Sequence, residues 1–271
     1  MAADTDTAFT GSIPSLYERY LGPLIFEPYA IDLADRVADL AHGELLEMAA
    51  GTGIATRALI KTLPDTVKIL ATDLKRAMLA FAANHTDPGR VTWQQADAQA
   101  LPCDDGRFDV VACQFGAMFF PDKVGAYREA LRVLKPGGRF VFSVWDRIET
   151  SEFADVVTKA VADSFPHDPP DFLKRIPHGY HDRGQIGQEL EVAGFGGVTI
   201  EIVELRSRAD SPEEPAIGYC QGTPLRAEIE ARDPNQLIPV TETATAAIAA
   251  QFGQGPIDGR IQALVTTAIR E

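Results

Sequence analysis

"ELLEMAAGTGIATRAL", residues 44–59, is the stretch whose reading decides the fold. A short apolar run ends in Glu47-Met48-Ala49-Ala50-Gly51-Thr52-Gly53, and a helical pattern starts at Ile54. A turn this poor in side chains lets the backbone approach a ligand closely. The helix after it points unpaired N–H groups at the same place.

Outward from this turn, strand and helix patterns alternate. "GELLEMA" reads as strand 1 and "IATRALIKTL" as a helix ending before Pro64. "VKILATDL" is strand 2, "KRAMLAFAANH" a helix, "VTWQQADA" strand 3 and "FDVVACQFG" strand 4. "VGAYREALRVLKPGG" is a helix stopped by Pro-Gly-Gly, and "RFVFSVW" is strand 5. Repeated β-α units of this length imply a parallel, doubly wound α/β sheet of the Rossmann-like kind, with helices on both faces. Before the first strand, residues 13–41 read as one or two helices broken around Gly22-Pro23 and Pro28. After Trp145 the order loosens: "RGQIGQELEVAGF" is a helix, "GVTIEIVELRSR" strand 6, residues 211–252 two or three helices, and "GRIQALVTTAI" a final strand.

The chain has 271 residues, enough for one large α/β domain. Its 3 cysteines (Cys103, Cys113, Cys220) show no C-x-x-C or His/Cys ligand spacing, so free thiols and no metal are expected. "MAADTDTAFT" lacks the basic and apolar regions of a leader, and no stretch approaches the ~20 apolar residues of a membrane span. A cytoplasmic protein without membrane association is the expectation. A formal net charge of -14 with scattered basic residues argues against nucleic acid.

In an open parallel sheet, ligands bind beyond the carboxyl ends of the strands, where strand order reverses. Glu47, Gly51 and Gly53 end strand 1, Asp73 ends strand 2, Asp97-Ala98 end strand 3, and Gln114-Phe115-Gly116 end strand 4. Two cofactors compete for this set. A dinucleotide wants G-x-G-x-x-G/A, but the third glycine position holds Thr56. S-adenosylmethionine carries an ammonium that suits Glu47, a residue awkward beside a pyrophosphate. Asp73 serves the ribose hydroxyls of either. Asp97 favours S-adenosylmethionine, because its carboxylate can accept from the adenine amine while the Ala98 N–H donates to a ring nitrogen; Leu74 and Met78 can cover the base. Gln114 stands beside them.

"ELLEMAAGTG", "ATD", "QADAQALPCDDGRFDVV" and "ALRVLKPGGRFVFSVW" together resemble the class I S-adenosylmethionine-dependent methyltransferases. The branch most similar is that of the bacterial ubiquinone/menaquinone-biosynthesis (UbiE-like) enzymes, over about residues 40–146. The resemblance implies a loop for the methionine part in which Ala49 replaces the first glycine, a ribose-binding acid at Asp73, and an adenine-binding Asp97-Ala98. It also implies a seven-stranded sheet with an antiparallel last strand, S-adenosyl-L-methionine as cofactor and S-adenosyl-L-homocysteine as product. Tyr17 and Tyr20 are expected in a segment capping the cofactor.

On this reading residues 1–271 form one methyltransferase domain. It has a helical cap (13–41), a cofactor core (42–146), connecting helices and strand 6 (147–207), a helical lid insertion (208–256) and a final strand (257–271). The acceptor is a small molecule held by Phe115, Met118 and Phe119 with Tyr219, Cys220 and Gln221. Direct methyl transfer needs no nucleophile on the protein. Candidate bases are His178, Tyr180 and His181 in an exposed loop, with His167 before it. An NAD-dependent oxidoreductase and a non-catalytic S-adenosylmethionine-binding protein are the alternatives. The acceptor atom and the oligomeric state are not legible.

Overall fold

In a computed structural model, residues 13–87 and 89–271 are described. The "MAADTDTAFT" segment read above lies outside them. The sheet is built from β1 (Gly43–Glu47), β2 (Val67–Asp73), β3 (Val91–Gln95), β4 (Phe108–Gln114), β5 (Leu134–Trp145), β6 (Gly196–Ala209) and β7 (Ile257–Ile269). Its order is β3-β2-β1-β4-β5-β7-β6. The first five strands in this order pair in parallel, whereas β7 runs antiparallel to both β5 and β6. The seven-stranded, mostly parallel α/β sheet with an antiparallel last strand is therefore present. Strand order reverses between β1 and β4, which places the crevice at the Glu47–Gly53 turn.

Two compact units divide the chain. The sheet unit comprises Tyr29–Val144, His181–Val203 and Ala263–Glu271. It includes helices α1 (Ile54–Thr62), α2 (Arg76–Asn84), α3 (Lys123–Val133) and α4 (Arg183–Ala193). Its core is aromatic: Phe108, Phe140, Phe142 and Tyr127 are fully buried, and the rings of Phe140 and Phe142 stack at 4.8 Å. Asp122 caps α3 by accepting from the Gly125 N–H, and Asp182 does the same for α4 through Gln185.

Among the described residues, the helical unit comprises residues 13–28, Trp145–Tyr180 and Glu204–Gln262. It holds α5 (Glu152–Ser164), α6 (Phe172–Arg175), α7 (Glu213–Gln221), α8 (Leu225–Arg232) and α9 (Leu237–Phe252). Phe153 of α5 meets Phe252 of α9 edge-on at 4.9 Å.

Two expectations are corrected. The break at Gly22-Pro23 and Pro28 does not occur: helix runs on from Ile13 to Asp35, with Tyr17–Phe26 in π geometry. The wider turn shifts bonding to residues five apart, as in Glu27 N–H to Gly22 O, so Pro23 sits in the run without its missing donor ending it. Pro28 follows directly on that wider stretch, as the second residue of Glu27–Asp35. The other concerns Pro-Gly-Gly, which does not stop α3. That helix ends at Val133, and residues 135–138 bulge inside β5, whose register with β4 jumps from Phe108↔Leu134 to Val110↔Arg139. Gly137 has φ 76, and a Cβ on Gly138 would lie 3.0 Å from the Asp109 carbonyl. The glycines serve the bulge.

Candidate active site

Three residues of the β1–α1 turn adopt left-handed backbone: Ala49 (φ 55), Gly51 (φ 57) and Gly53 (φ 84). Two are glycines, for which this costs little; Ala49 bears the strain a Cβ imposes. Phe115, just past β4, is also left-handed at φ 51. A bulky residue there is a genuine outlier, and such strain concentrates at functional sites. The two strained turns touch. A Cβ on Gly116 would fall 2.5 Å from the Ala49 Cβ and 2.8 Å from Cys113 Sγ, so Gly116 is what lets the β4 turn close against the β1 turn.

Inside the first turn Glu47 is 1% exposed. Thr56 Oγ1 donates to its Oε2 at 2.6 Å, and Thr72 Oγ1 donates to its backbone carbonyl at 3.0 Å. Burial, reinforced by the nearby Asp73 carboxylate, pushes the Glu47 carboxyl up to about 8 against the pull of Thr56 and Arg57. Asp73 Oδ2 accepts from Gly51 N–H at 2.9 Å and Oδ1 from Lys75 N–H at 2.8 Å, tying the turn to the start of α2. Burial raises its carboxyl too, against those two N–H groups. An ionised carboxylate offers about four acceptor sites, so two ribose hydroxyls still find room.

Asp97 stands exposed where β3 ends, its Oδ1 accepting from Gln99 N–H at 2.9 Å. The chain is led there by Ala96 N–H donating to the Asp73 carbonyl at 3.1 Å, and Ala98 is half-buried. Leu74 is 50% exposed, an apolar side chain left at the mouth. Met78 is buried, with its methyl 3.8 Å from a Cβ built on Gly51. Gln114 is half-buried at the end of β4 and pairs in register with Ser143 of β5. Phe115 and Met118 are buried, Phe119 half-buried, and Phe115 meets Tyr29 edge-on at 5.3 Å. The sheet unit thus gathers Glu47, Ala49, Gly51, Gly53, Asp73, Leu74, Met78, Asp97, Ala98, Gln114 and the Phe115–Phe119 segment at its carboxyl end.

A methyltransferase-domain family model matches residues 46–142. Demethylmenaquinone methyltransferase of Clavibacter sepedonicus is 32% identical over 172 residues, covering 60% of this chain and 69% of that one. The chain belongs to the class I S-adenosylmethionine-dependent methyltransferases. Ubiquinone/menaquinone biosynthesis C-methyltransferase UbiE of Shewanella halifaxensis is 28% identical over 171 residues, or 56% of this chain and 66% of that one. Further UbiE relatives align over 40% to 45% of their own length. In fold, the chain is similar to Haemonchus contortus phosphoethanolamine N-methyltransferase 2 in complex with S-adenosyl-L-methionine. The TM-score is 0.63 at 17% identity, over 97% of this chain and 58% of that one.

The cofactor of this methyltransferase family is S-adenosylmethionine, and the turn has the chemistry to take it. Glu47 offers a buried carboxyl to an ammonium, Asp73 offers acceptors to a diol, and the buried Thr52 Oγ1 has no hydrogen-bond partner among the described residues. Among those residues no cluster of His, Cys, Asp or Glu could hold a metal ion, and no helix is long and apolar enough to cross a membrane.

The remaining methyltransferase candidates, His181 apart, belong to the helical unit. Tyr17 stacks on Phe26 at 4.6 Å, and Arg19 lies over the Tyr20 ring at 5.1 Å. Their helix packs on α7: a Cβ on Gly218 would meet Leu21 at 2.8 Å. Tyr219 and Cys220 are buried, and Gln221 donates to Thr241 Oγ1 at 3.2 Å. Burial raises the Tyr219 hydroxyl, so it stays protonated. His178, expected in an exposed loop, is buried. Its Nδ1 lies 2.7 Å from the Asp146 carbonyl; a carbonyl only accepts, so Nδ1 carries the proton. The burial comes from Trp145, whose ring lies 6.0 Å from the imidazole, and from Asp146, itself fixed by Gln262 Nε2 at 2.6 Å. Tyr180 is buried; His167 and His181 are exposed.

The parts played by Thr56 and Gly116 are not legible in the sequence. Thr56 was noticed only as a missing glycine. Gly116 follows the strand 4 pattern like any turn residue, and no local signal betrays the Ala49 Cβ beside it.

Proposed function

We propose that this chain transfers a methyl group from S-adenosyl-L-methionine to a small organic acceptor. The observation that carries the reading is the buried Glu47 carboxyl in a left-handed turn at the switch point, flanked by Asp73 and Asp97 at the ends of β2 and β3. Bound there, the cofactor supplies an activated methyl on sulfur, whose C–S bond breaks as the acceptor's bond to carbon forms. The protein's work is to bind, align and exclude water. Glu47 takes the ammonium, Asp73 the ribose hydroxyls, and Asp97 with Ala98 the adenine edge. Leu74 and Met78 cover the base.

The names of the curated relatives support a quinol-type acceptor, an electron-rich ring whose proton leaves as the methyl arrives. The apolar Phe115, Met118 and Phe119 suit such a ring. Acceptor choice is assigned to these residues together with Tyr219 and Gln221, and Tyr17 and Tyr20 to the cofactor cap, within one methyltransferase domain working in the cytoplasm. Purified protein incubated with methyl-labelled cofactor and reduced quinones, phenols or small acids tests this. Label should enter a reduced quinone, with S-adenosyl-L-homocysteine released in equal amount. Binding without transfer to any acceptor would leave a cofactor-binding protein, and NADH binding more tightly than S-adenosyl-L-homocysteine would return the oxidoreductase reading.

A further inference from the structure

We propose that Thr56 is a positioning residue for cofactor recognition: its hydroxyl aims the Glu47 carboxylate at the cofactor's ammonium. The inference rests on the S-adenosylmethionine reading above and adds a part that reading does not need. Thr56 is fully buried in the first turn of α1, and its 2.6 Å bond fixes Oε2 of a carboxyl that is itself 1% exposed. Thr72 holds the same residue's backbone from β2, so Glu47 is fixed at both ends. A hydroxyl donor stabilises the ionised carboxyl and fixes its rotamer, the two things an ammonium requires of it.

The groups facing Glu47 make the hydroxyl matter. Asp73 from β2 opposes its ionisation, Arg57 from α1 favours it, and Cys113 from β4 is a thiol that burial keeps protonated up to about 12. Arg57 is committed in part elsewhere, with Nη1 donating to the Thr52 carbonyl at 2.9 Å. The free carboxyl therefore holds its proton near neutral pH. Arrival of the ammonium releases that proton to solvent, leaving a carboxylate–ammonium pair with Thr56 still donating. Thr56 thus makes the proton easier to give up.

The experiment is calorimetric titration of S-adenosyl-L-homocysteine into the whole chain, in buffers of different ionisation enthalpy, from pH 6 to 9. Wild type, Thr56→Val and Thr56→Ser are compared, so the ligand's own amine titration cancels. Thr56→Val should bind about tenfold more weakly at pH 7, with its proton-release midpoint about one pH unit higher, the scale of one hydrogen bond to a charged group. Thr56→Ser should restore both. 5′-Methylthioadenosine, which lacks the ammonium, should bind wild type and Thr56→Val alike. An unmoved midpoint in Thr56→Val, or equal loss for both ligands, overturns the proposal and makes Thr56 plain packing. If Thr56→Val does not fold, Thr56→Ala with and without Glu47→Gln decides: the Thr56 effect should vanish when Glu47 is Gln, and persistence overturns the proposal. Failure of wild type to bind S-adenosyl-L-homocysteine at all would instead remove the underlying cofactor reading.

Discussion

The turn after β1 and the segment around His178 hold their polar groups in different ways. In the turn, the acids are set by backbone N–H groups and one hydroxyl: Gly51 and Lys75 N–H groups fix Asp73, and Thr56, nine residues on, fixes Glu47. Around His178 the partners are remote, with Asp146 32 residues away and Gln262 a further 116 from Asp146. Local backbone geometry writes itself into sequence as small residues at fixed spacing, whereas remote packing leaves no such pattern.

The sharpest way to break this comparison is Glu47→Gln. In the unfolded chain the carboxyl ionises near 4.5, and in the free folded protein near 8. Between those values the folded state binds more protons, so Glu47's contribution to stability falls as pH rises through the window. Glutamine has no proton to lose. Relative to wild type, Glu47→Gln should gain about 3 kcal/mol of stability between pH 5 and pH 8, read by urea unfolding without ligand. It should also bind S-adenosyl-L-homocysteine more weakly. A pH-independent difference would mean that Glu47 is ionised in the free protein and that the turn is not poised as described.

Asp73→Ala comes next, at about 1.5 to 3 kcal/mol of lost cofactor affinity with an unchanged far-UV spectrum. Because Asp73 also accepts from Gly51 and Lys75 N–H groups, the free protein should lose stability too. Unaltered calorimetric affinity would reduce Asp73 to a brace for the turn.

How much was legible follows the same division. The alternation of strand and helix and the side-chain-poor turn stand in the sequence because each needs a particular residue type at a particular spacing, and Glu47, Asp73 and Asp97 lie at or just beyond the ends of β1, β2 and β3. The π-helical run through Pro23 and the bulge at 135–138 do not stand there, since Pro and Gly mark turn, kink and bulge with the same letters. His178 looked like a solvated loop histidine because Pro, Gly and Asp surround it, and only the fold brings Trp145 against it.

In the helical unit, Gln221→Ala should cost about 1 kcal/mol of stability through the lost bond to Thr241. It should alter acceptor turnover and leave calorimetric cofactor affinity unchanged, while Tyr20→Ala weakens cofactor binding. Hydrogen exchange in residues 13–30 and 211–235 should slow on binding S-adenosyl-L-homocysteine, more than in 126–134 of α3. Silence of both variants, with equal exchange in free and bound protein, would confine recognition to the sheet unit.

The smallest effect isolates the strain itself. Ala49 holds φ 55 where the family pattern has glycine, and Ala49→Gly removes the clash between its Cβ and the carbonyl that follows. Against this gain, glycine adds freedom to the unfolded chain and deletes the methyl that the Gly116 turn packs on. The balance should be a net stabilisation of about 0.5 kcal/mol, seen as a small rise in urea midpoint with an unchanged slope. Phe115, strained alike at φ 51, would show no such gain, because its buried ring against Tyr29 outweighs the relief. If Ala49→Gly also leaves cofactor affinity unchanged, the methyl is a tolerated departure from the family pattern. If stability rises while affinity falls, the methyl transmits the shape of one turn to the other, and the strain at Ala49 is kept because binding uses it.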